Sequence, residues 1–391
     1  AGSHQFPKVQ IDDLRLQGAG GANTLWASGE LDYEETLKIS ALLESGAIDL
    51  ATFGDFGSGS VEGQLRLQAN LDGEQWDVSL SEVDITGEVE GLPAHVSGYA
   101  GINSELRLLA SNLQADVNGS QLTLQASGDR SGPTSAHLSV DDLGVWFPGS
   151  RGKFTLQALV AQDWEKLTLS GSADDVVWQD LKIASGEISG DYQPEGDGAF
   201  QLDVLLADVA LGKIDLGNTA LSARGDMLEQ ILSLSTQGDI AGSVELSGRV
   251  DDDGDWQGQL ASTPLQTGAG NWHLEAPVTV HEAVSRQQMH LGAHCWYFQQ
   301  TRICPGETLL GEEGSASVSL DGNLDELSVL LPVYLELKGS LSATVKASWA
   351  KGQPLELDGE ARGRDIVFTR HYAEGESGSV HWERVDAVSY T

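Results

Sequence analysis

The sequence is poor in positive charge. Its 391 residues include 22 Lys and Arg against 59 Asp and Glu, which gives a formal net charge of −37 at pH 7. No nucleic-acid partner is expected, because contacts to phosphate groups require clustered Lys and Arg. Broad attachment to an anionic membrane surface is disfavoured for the same reason. We assign the acidic residues to a solvated exterior that keeps the protein soluble.

Long hydrophobic runs are also missing. No stretch approaches the roughly 18 to 20 consecutive apolar residues of a membrane-spanning helix, and no signal peptide is recognisable. Residues 1–4, Ala-Gly-Ser-His, resemble a scar left by tag cleavage, and a strand-like pattern still continues at Thr391. We therefore expect residues 5–391 to be a single segment of a longer protein, whose anchor would lie outside this sequence.

Cysteine is scarce, with only Cys295 and Cys304 present. A pair so closely spaced can close a hairpin as a disulfide, which would place the protein in an oxidising compartment. A zinc site that also uses His290 and His294 is the alternative. It is less favoured, because a four-residue spacing aligns two His side chains on a helix, whereas this segment has a strand pattern.

Sequence signatures of catalysis are missing as well. The chain has no Gly-rich phosphate loop, no Gly-x-Ser-x-Gly elbow and no His-Glu-x-x-His motif. Acidic pairs such as Asp141-Asp142 and Asp174-Asp175 fall at apparent turns, where solvated Asp is common. We therefore expect no enzymatic activity, no cofactor and no metal site.

Apolar and polar residues alternate along most of the sequence, and this period of two residues is typical of β-strands. Successive side chains of a strand point to opposite faces, so this pattern predicts one apolar face and one face of Ser, Thr, Gln, Asp and Lys. We assign the following residues to the apolar face: Leu65, Leu67, Leu122, Leu124, Phe154, Leu156, Leu167, Leu169, Phe200, Leu202, Val204, Val244, Leu246, Val318, Leu320, Val345, Leu355 and Leu357.

Short turn motifs separate these runs: Asp72-Gly73, Asn118-Gly119, Asp253-Gly254 and Asp321-Gly322. Such residues tolerate positive φ and favour hairpin turns. With the usual strand length, the chain is expected to hold about two dozen strands. Only residues 34–45 and 324–331 favour helix.

The alternation persists for nearly the whole chain, which is longer than an ordinary sandwich domain. The predicted fold is therefore all-β, an elongated curled sheet with a continuous hydrophobic groove and one or two short helices. About two dozen strands at a spacing of about 4.8 Å would extend on the order of 100 Å. A lipid acyl chain buried in such a groove gains about 0.8 kcal/mol per methylene. The alternative for each apolar residue is ordinary core packing.

Two motifs carry a resemblance to a known family. One is the Cys-Trp to Cys element within residues 291–304, which precedes the strand-like segments 314–320 and 341–343, and the other is Asp253-Gly254-Asp255-Trp256. These features resemble the TamB family of translocation and assembly module inner-membrane components, within the wider AsmA-like, bridge-like lipid-transport group. The resemblance implies an inner-membrane anchor, a periplasmic β-taco with a hydrophobic groove and a TamA-like outer-membrane barrel partner, all in a Gram-negative bacterium.

The sequence therefore leads to a first hypothesis, a periplasmic conduit that guides phospholipid acyl chains between two membranes. Membrane contact would come from the anchor outside this segment, and the barrel partner would meet other parts of the parent. The second hypothesis is a chaperone-like scaffold for outer-membrane proteins such as autotransporters, because exposed sheet edges can accept a client strand. A β-helical adhesin is a third, but the stacked aromatics and acid pairs that it would need are not found.

Overall fold

The computed structural model describes most of the chain. The described residues are 8–18, 23–33, 36–53, 58–105, 107–128, 132–161, 165–251, 254–283, 287–328, 331–332, 334–372 and 376–390. Within them the chain forms 28 strands that are assigned to one antiparallel sheet. The helical content of this part is one four-residue α-helix and two short 3-10 helices, at Leu50–Phe53 and Leu143–Val145. The predictions of an all-β chain and of a curled sheet are confirmed.

The chain divides into two compact units, residues 1–179 with 187–196 and residues 180–186 with 197–391. In the first unit, each strand from β1 to β11 pairs antiparallel with its neighbours in sequence. The strands are β1 Lys8–Gln17, β2 Thr24–Asp32, β3 Leu37–Asp49, β4 Gly59–Asp72, β5 Gln75–Val89, β6 Leu92–Asn103, β7 Ser111–Val117, β8 Ser120–Ala126, β9 Thr134–Val140, β10 Arg151–Val160 and β11 Leu167–Trp178. Strand β12, Leu181–Tyr192, contributes residues to both units.

In the second unit, β13 to β16 and β25 to β28 also pair with their sequence neighbours. The strands are β13 Phe200–Leu211, β14 Ile214–Gly225, β15 Glu229–Gln237, β16 Ile240–Val250, β17 Trp256–Ser262, β18 Leu265–Thr267, β19 Gly270–Leu274, β20 Val278–Ala283, β21 Gln288–Leu291, β22 Trp296–Phe298, β23 Thr301–Pro305, β24 Thr308–Leu310, β25 Gly314–Asn323, β26 Leu335–Trp349, β27 Glu356–His371 and β28 Ser377–Tyr390.

Between β16 and β25 the simple meander is interrupted, because four successive strand positions are each broken into two short strands. Strands β17, β20, β21 and β24 form one ladder, and strands β18, β19, β22 and β23 form another. Both ladders pair with β16 at one side and with β25 at the other. We call the breaks, residues 263–264, 275–277, 292–295 and 306–307, the crease.

The crease is hydrogen-bonded across the sheet. The backbone N–H of Glu275 donates to the carbonyl of Cys295 at 2.9 Å, and that of His294 donates to the carbonyl of Pro305 at 3.0 Å. Cys295 and Cys304 form a disulfide at this position, as the sequence predicts. Pro264 and Pro277 lie in two of the breaks, where the missing N–H of proline interrupts a strand.

A short helix, α1 (Leu324–Leu327), follows β25. It lies within the second segment predicted to be helical. The carboxylate of Glu326 accepts hydrogen bonds from the backbone N–H groups of Gln300 and Thr301 and from the Thr301 hydroxyl, the last at 2.7 Å. Thr301 is fully buried, and a buried polar group needs such partners. The helix is thereby fixed to the turn between β22 and β23.

The helix predicted for residues 34–45 is wrong over residues 37–45. These residues belong to β3, which pairs with β2 on one side and β4 on the other. Leu37, Ile39, Ala41 and Leu43 share one face by strand alternation, and two partner strands satisfy the backbone hydrogen bonds. Residues 34 and 35 lie outside the described part of the chain.

The predicted turns have two outcomes. Asn118 and Gly119 join β7 to β8 with φ of 48° and 86°, and Gly73 joins β4 to β5 with φ of 60°. In contrast, Asp321-Gly322 lies inside β25. A Cβ on Gly322 would lie 2.6 Å from the Thr301 Cγ2 atom, so this glycine allows a close approach rather than a turn. Asp253 lies outside the described residues.

Candidate functional site

The register of the first unit collects apolar side chains into rows that cross the strands. Directly opposed residues of antiparallel strands lie on the same face. One row runs from β6 to β11 through Val96, Ala115, Leu122, Leu138, Leu156 and Gly171. A second runs from β7 to β11 through Leu113, Leu124, Ala136, Ala158 and Leu169. The sequence-predicted residues of these strands therefore share one apolar face.

The same face continues through the strands that precede these rows. Leu67 of β4 lies between Ala41 of β3 and Leu80 of β5, and Leu65 lies opposite Leu43. At the other side of the unit, Phe154 lies opposite Val140, and Leu167 lies opposite Val160. The apolar surface of the first unit is thus contiguous by register from β3 to β11.

Rows of the second unit have the same character. Val204, Leu221, Leu234 and Val244 lie in one row, and Leu202, Ala223, Leu232, Leu246 and Leu260 lie in the next. Phe200 lies opposite Gly225. Near the end of the chain, Val318 lies opposite Val345, Leu320 opposite Ala343, and Leu357 opposite Ala347. Leu355 lies just before β27 rather than within it.

β-bulges keep these rows on one face where the alternation of the sequence slips by one residue. In β5, Leu80 faces Ala100 and Val83 faces Gly98, so two residues separate apolar positions that are normally separated by one. Glu82 takes up the extra residue with φ of 52°. A bulge also bends its strand and increases the local twist, which contributes to the curl of the sheet.

The same device recurs in both units. An acidic residue with φ of about 50° precedes a β-branched residue at Glu82, Asp175, Asp208 and Asp365. The Arg66 guanidinium donates hydrogen bonds of 3.1 and 3.2 Å to the Glu82 carboxylate, and these bonds raise the pKa of Arg66. At each of these positions the β-branched residue follows the previous inward-facing residue after two residues, the second of them acidic, and strict alternation does not reveal this signal.

The predicted face residues are accessible. Every one of them is half-buried or exposed, and the exposed ones are Leu122, Val318, Val345, Leu355 and Leu357. Fully packed protein interiors bury Leu and Val almost completely. These residues therefore keep more exposed surface than the residues of a fully packed core.

The opposite face is polar and carries the concave depressions. One of about 630 Å³ crosses β1 to β4 and is lined by side chains that include Gln10, Lys38 and Gln68. Another of about 520 Å³ crosses β25 to β27 beside Lys346 and Glu356. We attribute these shallow hollows to sheet twist, because they are open to solvent and lack the enclosing walls of a ligand pocket.

Tryptophan side chains on the apolar face of the second unit were missed as site residues. The Trp256 ring lies over Gly248 and Gly258, where any Cβ would overlap the indole. Its Nε1 atom donates a hydrogen bond of 2.8 Å to the Gln230 Oε1 atom. Trp349 covers Gly314 in the same manner, and its Nε1 atom donates to the Gly311 carbonyl at 3.1 Å. These rings therefore form part of the surface of the face.

The described residues include no group of three or more His, Cys, Asp and Glu arranged to hold a metal ion. His290 lies in β21 opposite His281, and His294 lies in the crease with Nδ1 2.9 Å from the Gly292 carbonyl oxygen. Both cysteines are in the disulfide, so the zinc alternative lacks its thiolate ligands. None of the helices in the described part of the chain has the length and apolar character of a membrane span.

Comparison with known proteins gives one family. Residues 1–389 match the family model described as TamB, N-terminal domain. Among curated proteins, the chain is similar to the translocation and assembly module subunit TamB of Haemophilus influenzae (strain ATCC 51907 / DSM 11121 / KW20 / Rd), with 21% identity over 372 residues. The alignment covers 93% of this chain and 28% of that relative, so the chain spans little more than a quarter of the relative's length.

Proposed function

The chain belongs to the TamB N-terminal domain family, and on that premise we propose that it is a periplasmic section of a bridge-like protein that conducts phospholipid between the inner and outer membranes. Its role is binding and guiding rather than catalysis. Acyl chains lie along the apolar face, and headgroups remain in water at its margin. Residues 5–391 form one section of a longer parent.

The observation that carries this proposal is the accessibility of the apolar rows. In the row that contains Leu246, the neighbours Leu232 and Leu260 come from adjacent strands, and Leu232 keeps 39% of its surface exposed. Apolar surface left in water is unfavourable by about 25 cal/mol per Å². A hydrocarbon ligand that covers the rows removes this cost without needing any directional contact.

The distribution of charge supports the same role. The polar face carries the ion pairs, including Lys8 with Glu30 at 2.7 Å and Arg302 with Glu275. The apolar rows contain no charged residue over β6 to β11. An acyl chain therefore meets a floor that binds it through hydrophobic contact alone, and it can slide between equivalent positions.

The family also supplies the cellular setting of the proposal. The parent is anchored in the inner membrane of a Gram-negative bacterium, and an outer-membrane barrel protein of the TamA type meets parts of it outside this chain. The disulfide between Cys295 and Cys304 is consistent with an oxidising periplasm.

Site-specific photo-crosslinking tests the proposal. A photoreactive amino acid is placed at Leu156 or Leu246 on the apolar face, and at Gln157 or Glu245 as the adjacent residue on the polar face. The expected result in cells is phospholipid adducts at the first pair and none at the second. Equal labelling of both faces, or labelling of neither, would refute lipid binding by the apolar rows.

A second candidate function is a scaffold for the assembly of outer-membrane proteins, and the observation that favours it is the similarity to a relative named as a translocation and assembly module subunit. The apolar rows that would hold an acyl chain could equally hold the apolar side chains of a client strand. If photoreactive residues at Leu156 and Leu246 capture unfolded outer-membrane β-strands and no phospholipid, this second function replaces the first.

A further inference from the structure

The apolar face of the second unit is open, then covered, then open again. In β14 and β15, Leu221, Leu232 and Leu234 are 37%, 39% and 43% exposed. In β25 and β26, Val318 and Val345 are 41% and 49% exposed. Between them, beside the crease, Val278, Val280 and Trp272 are only 1%, 4% and 9% exposed.

These covered residues belong to the same face as the open rows. Val278 lies opposite Leu260, which lies opposite Leu246. Val280 lies opposite Gly258. The row of the apolar floor therefore continues into the covered section, and only its exposure changes. The Trp256 ring lies over Gly258 and so lies beside Val280 in this row, and Val278 adjoins the break at 275–277.

The crease runs beside these covered residues. Breaking four successive strands at one line allows the sheet to bend there. Aromatic rings fill the second ladder, with the Trp272 and Phe298 centroids 5.8 Å apart. Gly270 lies beneath the Phe298 ring, where a Cβ would overlap it. The disulfide joins Cys295 in one break to Cys304 of β23 beside the next, and so fastens the fold.

We propose that residues 263–283 and 287–307 form a closed section of the lipid-binding face, with Trp272 and Phe298 occupying the space that an acyl chain occupies on either side. This inference rests on the proposed function. It divides the face of the second unit into two acyl-binding stretches, one over β14 to β16 and one over β25 to β27. Lipid passes from one to the other only when the two rings are displaced.

The test maps lipid contacts on the unaltered, disulfide-bonded chain. Purified protein is incubated with phosphatidylethanolamine that carries a diazirine in one acyl chain, illuminated, digested and analysed by mass spectrometry. We expect adducts on the apolar-face residues of β15 and β26, whereas β19 and β20 should be labelled only at the background level found for residues of the polar face. Adducts on β19 and β20 at the level of β15 would overturn the closed section and leave the proposed function intact. Absence of adducts from β15 and β26 would overturn both.

A matched pair of variants tests the role of the rings. Phe298→Ala removes the ring from the apolar face, whereas Tyr297→Ala removes the neighbouring ring, which stacks on His273 at 5.3 Å on the opposite face. We expect adducts to appear on β19 in the first variant and to stay at background in the second. Phe298→Leu, which keeps an apolar side chain and so protects the fold, is expected to give an intermediate yield. Background labelling of β19 in folded Phe298→Ala and Phe298→Leu proteins would show that the rings do not close the face.

Discussion

Replacing Leu246 by Asp places a carboxylate in the middle of an apolar row, between Leu232 and Leu260. An extended hydrocarbon advances about 1.25 Å per methylene, so about four methylenes lie over one strand spacing of about 4.8 Å. Each fully buried methylene contributes about 0.8 kcal/mol, and a protein surface that covers one side of the acyl chain provides about half of this. Leu246→Asp is therefore expected to cost a bound acyl chain about 1.5 kcal/mol, roughly a tenfold loss of local occupancy.

The assay is photolabelling with the diazirine phospholipid, read out as adduct yield on β15 and β17. Ser247→Asp is the control, because it introduces the same charge on the same strand but on the opposite face. The fold itself should lose only about 1 kcal/mol in Leu246→Asp, since this leucine is half-buried, and thermal unfolding of both variants checks this. Equal labelling of the two variants would refute a hydrophobic floor, and global unfolding of Leu246→Asp would instead indicate a sealed core.

Three further predictions concern stability. Replacing Cys295 and Cys304 by Ser is expected to lower the free energy of unfolding by about 2.5 kcal/mol through loop entropy; denaturant unfolding with and without reductant measures it, and no difference would mean that the crease is held by packing alone. Hydrogen bonds from the backbone N–H groups of Glu229 and then Leu228 lower the pKa of Asp226 below its ordinary value of 3.8. The stabilisation of the fold by this carboxylate is therefore fully present above pH 3.8 and is lost as the pH falls through the lowered pKa. An Asp226→Asn variant whose unfolding free energy keeps the full acid dependence would contradict this. Asp208→Val is expected to destabilise the fold by about 1 to 2 kcal/mol because φ is 50° there, whereas Asp208→Gly should not; equal stability of the two would refute a strained bulge.

The architecture of the sheet was largely predictable from sequence, because period-two alternation is a property of local residues. Leu122, Leu124, Leu156 and Leu169 were assigned to one face, and the register places them in adjacent rows. The roughly two dozen strands expected compare with 28 in the described residues. Cross-strand register itself depends on turn lengths and bulges, so alternation alone could not align those rows.

The failure at β3 has a physical cause. Leu42 interrupts the alternation of Leu37, Ile39, Ala41 and Leu43, so the segment also has apolar residues three and four positions apart, as in a helix. Local propensity could not settle the competition. Pairing with β2 and β4 did so, because each partner strand satisfies alternate backbone groups along β3.

The disulfide pairing alone does not predict the crease, although the residues that mark the breaks can be recognised in the sequence. Cys295, Cys304, Pro264 and Pro277 each mark a strand break or its edge. What the sequence could not supply is that four breaks fall on one line across the sheet, since that depends on the register of strands far apart in the chain. A single broken strand would only weaken a ladder, whereas aligned breaks let the sheet fold.

An open apolar face and a stable fold are opposing requirements, and the distribution of buried residues shows how this chain meets both. The largest fully buried side chains among the described residues are Val278 and Thr301. Val278 lies beside the crease, and Thr301 lies at the turn to which α1 is fixed. Because a curled sheet with an accessible floor has little interior of its own, its stability must come from backbone ladders and from a few locally packed places. A closed section that covers the floor at one point supplies such a place, and it leaves the rows on either side free to bind lipid. Stability and closure at the crease thus follow from the same packing. Variants that raise lipid labelling of β19 and β20 are therefore expected to lower the free energy of unfolding as well.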